Sequence, residues 1–88
     1  MTSGIYKIEN KKTGQIYIGQ SKNIERRFRH HCRVPMIDLA IANEGVENFH
    51  FDILEEVDEE YLLEREKYWI KGYGVAENPY HYNQYGGD

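Results

Sequence analysis

The chain has 88 residues, a formal net charge of −4 and one cysteine, Cys32. That length suits one domain spanning 1–88 with a single small core, burying about 60–65% of its unfolded surface. A lone cysteine excludes an internal disulfide and fits a reducing, intracellular compartment. The opening Met-Thr-Ser-Gly-Ile-Tyr-Lys-Ile-Glu has no long apolar run, so neither a signal peptide nor a membrane span is expected.

The first elements are two short runs rich in β-branched and aromatic residues, Gly4-Ile5-Tyr6 and Ile16-Tyr17-Ile18-Gly19. They flank the polar turn Asn10-Lys11-Lys12-Thr13-Gly14. This is a hairpin pattern. A four-residue loop from Lys11 to Gly14 pairs Asn10 with Gln15, sets Tyr17 opposite Ile8, and sets Tyr6 opposite Gly19. Cross-strand partners share a face, so both tyrosines project from one side. A loop one residue longer or shorter would separate them. Glycine opposite Tyr6 leaves room for a ligand beside the ring, although a tyrosine taken in isolation reads as strand packing.

A helix follows, with Asn23 as N-cap and Glu25 in its first turn. Ile24, Arg27, Phe28 and His31 fall on one stripe at helical spacing. Arg27 is then either a stem covering the edge of the core or a cation aimed at an anion beside the hairpin, where its fixed donors match phosphate oxygens. His30, His31 and Cys32 do not form a zinc site, because adjacent helical residues point about 100° apart. From Lys22 to Arg33 there are five cations (Lys22, Arg26, Arg27, Arg29, Arg33) against Glu25 alone. From Asp52 to Glu66 there are eight acids against Arg65. A chain polarised in this way can offer a basic surface to phosphates despite its negative total.

Pro35 opens a second helix with Met36, Leu39, Ala40 and Asn43 along one packing face, and Gly45 ends it. Alternation over 48–55 predicts a third strand, with Phe49, Phe51 and Ile53 inward and His50 and Asp52 outward. Asp58 caps a third helix that carries Glu59 and Glu60 in its first turn and stops at Gly72. Its buried stripe is Leu62, Leu63, Trp69 and Ile70, and Glu66 stands in the middle of it. Glu64 and Lys67 face outward. An ionised carboxylate on a core face is costly unless a cation or metal accompanies it. Glu66 therefore reads as a metal ligand or as half of a structural salt bridge with Arg27.

The two tripeptides Gly4-Ile5-Tyr6 and Tyr17-Ile18-Gly19, their tyrosines eleven positions apart, resemble the paired signatures of the GIY-YIG nuclease family. The resemblance extends along the chain. Arg27 and His31 match an arginine and a histidine one turn apart on the following helix. Glu66 matches a metal-binding glutamate three residues before a tryptophan, here Trp69. Tyr82-Asn83 is similar to an asparagine after a tyrosine near the domain's end. Gln20 departs from relatives with a lysine able to polarise the tyrosine, a role that Lys22 could take.

The resemblance implies an α/β (α+β) domain in which a three-stranded antiparallel sheet is flanked by helices in the order β-β-α-α-β-α. It implies metal-dependent hydrolysis of DNA phosphodiester bonds, with Mg²⁺ as cofactor and Mn²⁺ able to substitute. In that reading Glu66 holds the metal and Arg27 stabilises charge on the phosphate. Tyr6 is the candidate general base, Tyr17 positions it or the water, His31 assists, and Asn83 orients a neighbour. Lys22, Arg26, Arg29 and Arg33 contact DNA phosphates. Such catalytic units are usually joined to other domains that choose the site, so these residues alone should bind DNA with little sequence preference. The rival class is a DNA-binding or scaffolding module that keeps the constellation without cutting.

Overall fold

The computed structural model describes residues 1–29 and 35–74. Of the expected site residues, His31, Arg33 and Asn83 lie outside the described residues. The elements are β1 (Gly4–Asn10), β2 (Ile16–Ser21), α1 (Ile24–Arg29), α2 (Pro35–Glu44), β3 (Phe49–Glu56) and α3 (Leu62–Tyr73), in the expected order. Two 3₁₀ turns, Val46–Asn48 and Glu59–Tyr61, lead into β3 and α3.

The sheet runs β2-β1-β3 with both pairings antiparallel. The hairpin has the four-residue loop. Asn10 donates its N–H to the Gln15 carbonyl at 2.8 Å, and Gly14 returns to the Asn10 carbonyl at 2.7 Å. The buried Asn10 side chain accepts from the Lys12 and Thr13 amides at 3.0 and 3.4 Å and donates to Glu44 at 3.2 Å. One asparagine thus shapes the turn and ties it to the end of α2. Tyr6 faces Gly19 and Ile8 faces Tyr17, as the loop length requires.

Both faces of the sheet are covered. On one, Tyr6, Ile8 and Phe49 pack against Ile24 of α1 and Ile37 and Ile41 of α2. On the other, Ile5, Ile16 and Ile18 pack against Leu62 and Ile70 of α3. The central strand is therefore apolar on successive residues, with Ile5, Tyr6 and Ile8 fully buried.

Five expectations need correction. The buried face of α2 is Ile37 and Ile41 with Ala40 behind them, while Leu39 and Asn43 are exposed. The helix is apolar almost all round, so periodicity could not choose its inward face. In β3 the alternation breaks at a bulge: Ile5 pairs with Glu55 but Tyr6 pairs with Ile53. The extra residue, Leu54, turns toward the α3 side, and Ile53 is left exposed. In α3, Leu63 is exposed, and Asp58 stands at the N-cap position of the preceding 3₁₀ turn, without a capping hydrogen bond from its side chain, rather than at the start of the α-helix. Gly72 continues the helix, which ends at Gly74. There a positive φ of 68° turns the N–H back to the Ile70 and Lys71 carbonyls.

The orientation of α3 has a second anchor. Glu55 of β3 accepts from Arg65 Nε at 2.8 Å and from Trp69 Nε1 at 2.9 Å. The Trp69 indole and the Arg65 guanidinium hold the Glu55 carboxyl below its usual range, and Glu55 in turn raises Arg65. Among the described residues, no helix is long and apolar enough to cross a membrane.

Candidate active site

Strand alternation sends Tyr6, Tyr17 and Gly19 to the face covered by α1 and α2. The space over Gly19 is taken by the tyrosines themselves: a Cβ there would lie 2.5 Å from Tyr6 Oη and 2.9 Å from Tyr17 Cε2. The ring centroids are 6.2 Å apart, tilted by 40°. Room for a ligand lies in the adjoining cleft, not directly over the glycine. Tyr6 is fully buried and Tyr17 half-buried. Phe28 of α1 meets the Tyr6 ring edge-on at 5.6 Å and packs on Phe51 at 5.2 Å, so this helix position fixes the phenol.

Helix α1 is itself held at its start. Asn23 Oδ1 accepts the Arg26 amide at 3.1 Å, the N-cap expected from sequence, and Ser21 Oγ accepts the Asn23 amide at 3.0 Å. The Ile24 amide donates to the Thr2 carbonyl at 2.8 Å. The Glu25 carboxylate accepts from the Thr2 amide at 2.7 Å and from the Thr2 hydroxyl. The Thr2 hydroxyl, ahead of the backbone amides, lowers the Glu25 pKa to about 2. With α1 pinned in this way, Arg26 and Arg27 both reach one cleft beside the hairpin.

That cleft, about 660 Å³ in volume, is where four elements meet. Tyr6 comes from β1, Tyr17 from β2, Arg27 from α1 and Glu66 from α3. Arg26 and Lys22 add positive charge to its walls. Lys22 stands 3.7 Å from Glu59, with both side chains exposed. Arg29 is exposed on α1 and does not line the cleft. Four of the six expected catalytic residues and two of the four expected phosphate contacts are thus brought together.

Glu66 is only 3% exposed, between Leu62 and Ile70, as its position on the stripe demanded. Its Oε1 accepts from Gln20 Nε2 at 3.1 Å. Sequence reasoning noticed Gln20 only as a departure from relatives. Its side alternates with Gly19 and falls toward α3, which strand parity allows but does not by itself reveal. Among the described residues, no group of three or more His, Cys, Asp or Glu side chains converges to hold a metal.

Comparison with known proteins bears on the family and the fold. A model of the GIY-YIG catalytic domain matches residues 2–81, and Asn83 lies beyond the matched stretch. Intron-associated endonuclease 1 of Enterobacteria phage T4 is 31% identical over 93 residues. That alignment covers 88% of this chain but only 38% of the relative's length. Two solved structures are similar. A mutant of the catalytic domain of intron endonuclease I-TevI matches with TM-score 0.77 and 29% identity, over 94% of this chain and 93% of that one. The catalytic domain of the homing endonuclease I-TevI matches with TM-score 0.72 and 27% identity, over 93% and 99%. With the paired tyrosine signatures on adjacent strands and the sheet of those structures around them, this chain belongs to the GIY-YIG family of nuclease catalytic domains.

Proposed function

We propose that the domain is a DNA endonuclease that hydrolyses phosphodiester bonds with one divalent cation, Mg²⁺ or its substitute Mn²⁺, held by Glu66. The observation that carries this reading is the single cleft joining two phenols, a guanidinium and a buried carboxylate from four different elements. Membership of the family and the endonuclease relatives support it.

The donor chemistry fits such an ion. Glu66 offers a hard carboxylate at the wall of an open cleft, and Mg²⁺ binds through one or two carboxylates while keeping several waters. The bound ion would polarise the phosphate and stabilise the leaving oxygen. The chain's own residues do the rest. Arg27 places its planar donors against the phosphate oxygens and stabilises charge as it develops there. Tyr6 accepts the proton of the attacking water, and Tyr17, 6.2 Å away between centroids, orients that water. The exposures favour a second assignment with these roles exchanged, because Tyr17 meets solvent while Tyr6 is fully buried. His31 assists proton transfer and Asn83 orients a neighbouring group in this proposal. Lys22, Arg26, Arg29 and Arg33 bind the DNA backbone, which sets register without reading sequence.

The relative extends well beyond the matched part. That supports a division of labour in which site choice is made by a recognition domain outside these 88 residues. The direct test is conversion of supercoiled plasmid in Mg²⁺ against EDTA. Cleavage that EDTA abolishes supports the enzyme; salt-sensitive DNA binding with no cleavage in either Mg²⁺ or Mn²⁺ supports the scaffolding module instead.

A further inference from the structure

Strand β2 has a division of labour of its own. Tyr17 and Gly19 turn to the face of the phenols. Gln20, paired with Ile5, turns to the opposite face, where Ile16 and Ile18 pack on α3. It ends that apolar row with a polar side chain, half-buried and lining the cleft. Glu66 also starts from the α3 side of the sheet. To act with Tyr6, Tyr17 and Arg27 it must present its carboxylate at the edge of β2, and Gln20 meets it there at 3.1 Å.

We propose that Gln20 is a positioning residue that fixes the Glu66 carboxylate for its divalent cation; the inference rests on the reading of Glu66 as metal ligand. Only the NH₂ end of an amide can bond to a carboxylate, so the contact sets the orientation of both groups. An amide is also neutral. It restrains the carboxylate without cancelling the charge that attracts the cation, as a lysine at the same place would. Partners that orient a metal-ligating group are worth 10- to 100-fold in metal affinity or activity. Leu62 shares this wall of the cleft but offers no donor.

The test compares the wild-type domain, Gln20→Leu, Gln20→Lys and Glu66→Gln. Four quantities are read: melting temperature, Mn²⁺ binding by loss of the free-ion EPR signal, the Mg²⁺ concentration that half-saturates cleavage, and the apparent KM for DNA. Gln20→Leu keeps the volume and loses the donor. It is expected to raise both half-saturating concentrations about tenfold or more, to recover cleavage at high Mg²⁺, and to leave the apparent KM for DNA unchanged. Gln20→Lys keeps a donor but adds a competing charge, so it should fold and still bind Mn²⁺ more weakly. A folded Gln20→Leu with wild-type affinity for both ions overturns the proposal. If that variant does not fold, wild-type Mn²⁺ affinity in Gln20→Lys overturns it equally. Glu66→Gln separates the two levels. If it binds Mn²⁺ like the wild type, the metal assignment of Glu66 is lost; if it alone loses Mn²⁺, only the role of Gln20 is.

Discussion

A methyl group at position 19 would collide with both candidate catalytic rings, 2.6 Å from Tyr6 Cζ and 2.9 Å from Tyr17 Cε2. Gly19→Ala must therefore push aside a phenol that is wedged against Phe28. Overpacking of this kind costs about 1–3 kcal/mol. Cleavage should fall more steeply than stability, since chemistry depends on where the ring sits. Thermal melts and cleavage rates measured on one preparation check this. The two phenols can be told apart by pH. A free phenol has a pKa of about 10, so cleavage with a tyrosine base should rise through the alkaline range. Tyr6→Phe removes that rise if Tyr6 is the base, while Tyr17→Phe lowers the rate and keeps the rise; the reverse pattern assigns the base to Tyr17. The tyrosines were legible in the sequence because strand parity and loop length alone fix their side. Glu66 was legible because a carboxylate interrupts an apolar stripe. Gln20 was not, because its partner lies 46 residues away on an element whose docking face no local pattern states.

At the scale of elements, the short helix α1 carries the cleft's arginines and depends on ties outside itself. The Thr2–Glu25 contact supplies one of them. Its pH dependence has a definite sign. The Glu25 pKa is lowered from 4.5 to about 2 on folding, so the unfolded chain binds more protons between those values. The stabilisation is therefore complete above pH 4.5 and lost as pH falls toward 2. Glu25→Gln should be less stable than the wild type near neutrality, with the difference shrinking below pH 4.5. Paired urea titrations across pH 2–7 measure it, and a difference independent of pH contradicts the account. Helices and strands were readable in number and order, since caps, turns and periods are local signals. Their faces were less so. On α2 the choice of Ile37 and Ile41 over Leu39 belongs to the sheet beneath, and on β3 the bulge at Leu54 is imposed by pairing with β1. Helix α3 ends at Gly74 and not at Gly72 because its last turn closes in a left-handed C-cap, and of the two glycines only Gly74 adopts positive φ.

Across the whole molecule the net charge is −4, yet Lys22, Arg26 and Arg27 gather at one cleft. Binding through phosphates predicts a steep salt dependence and little sequence preference. Arg26→Ala should weaken binding to unrelated duplexes to the same extent and reduce the logarithmic salt slope by about 1. Fluorescence anisotropy at several salt concentrations reads both. A tight footprint at a single site contradicts the picture.

In the proposed function, Glu66 is buried to hold a cation for catalysis and not to brace the fold. The measurement that tests it most directly is Glu66→Gln, with melting temperature, DNA binding and plasmid cleavage determined together. The substitution keeps the shape and removes the charge. If Glu66 holds the cation, the variant melts at or above the wild-type temperature, binds DNA at least as well, and cleaves slower by orders of magnitude. A structural ion pair would behave differently, since losing one partner strands the other at a cost of about 3–5 kcal/mol. A stable Glu66→Gln domain that still cuts at the wild-type rate, or one that loses its fold, contradicts the account.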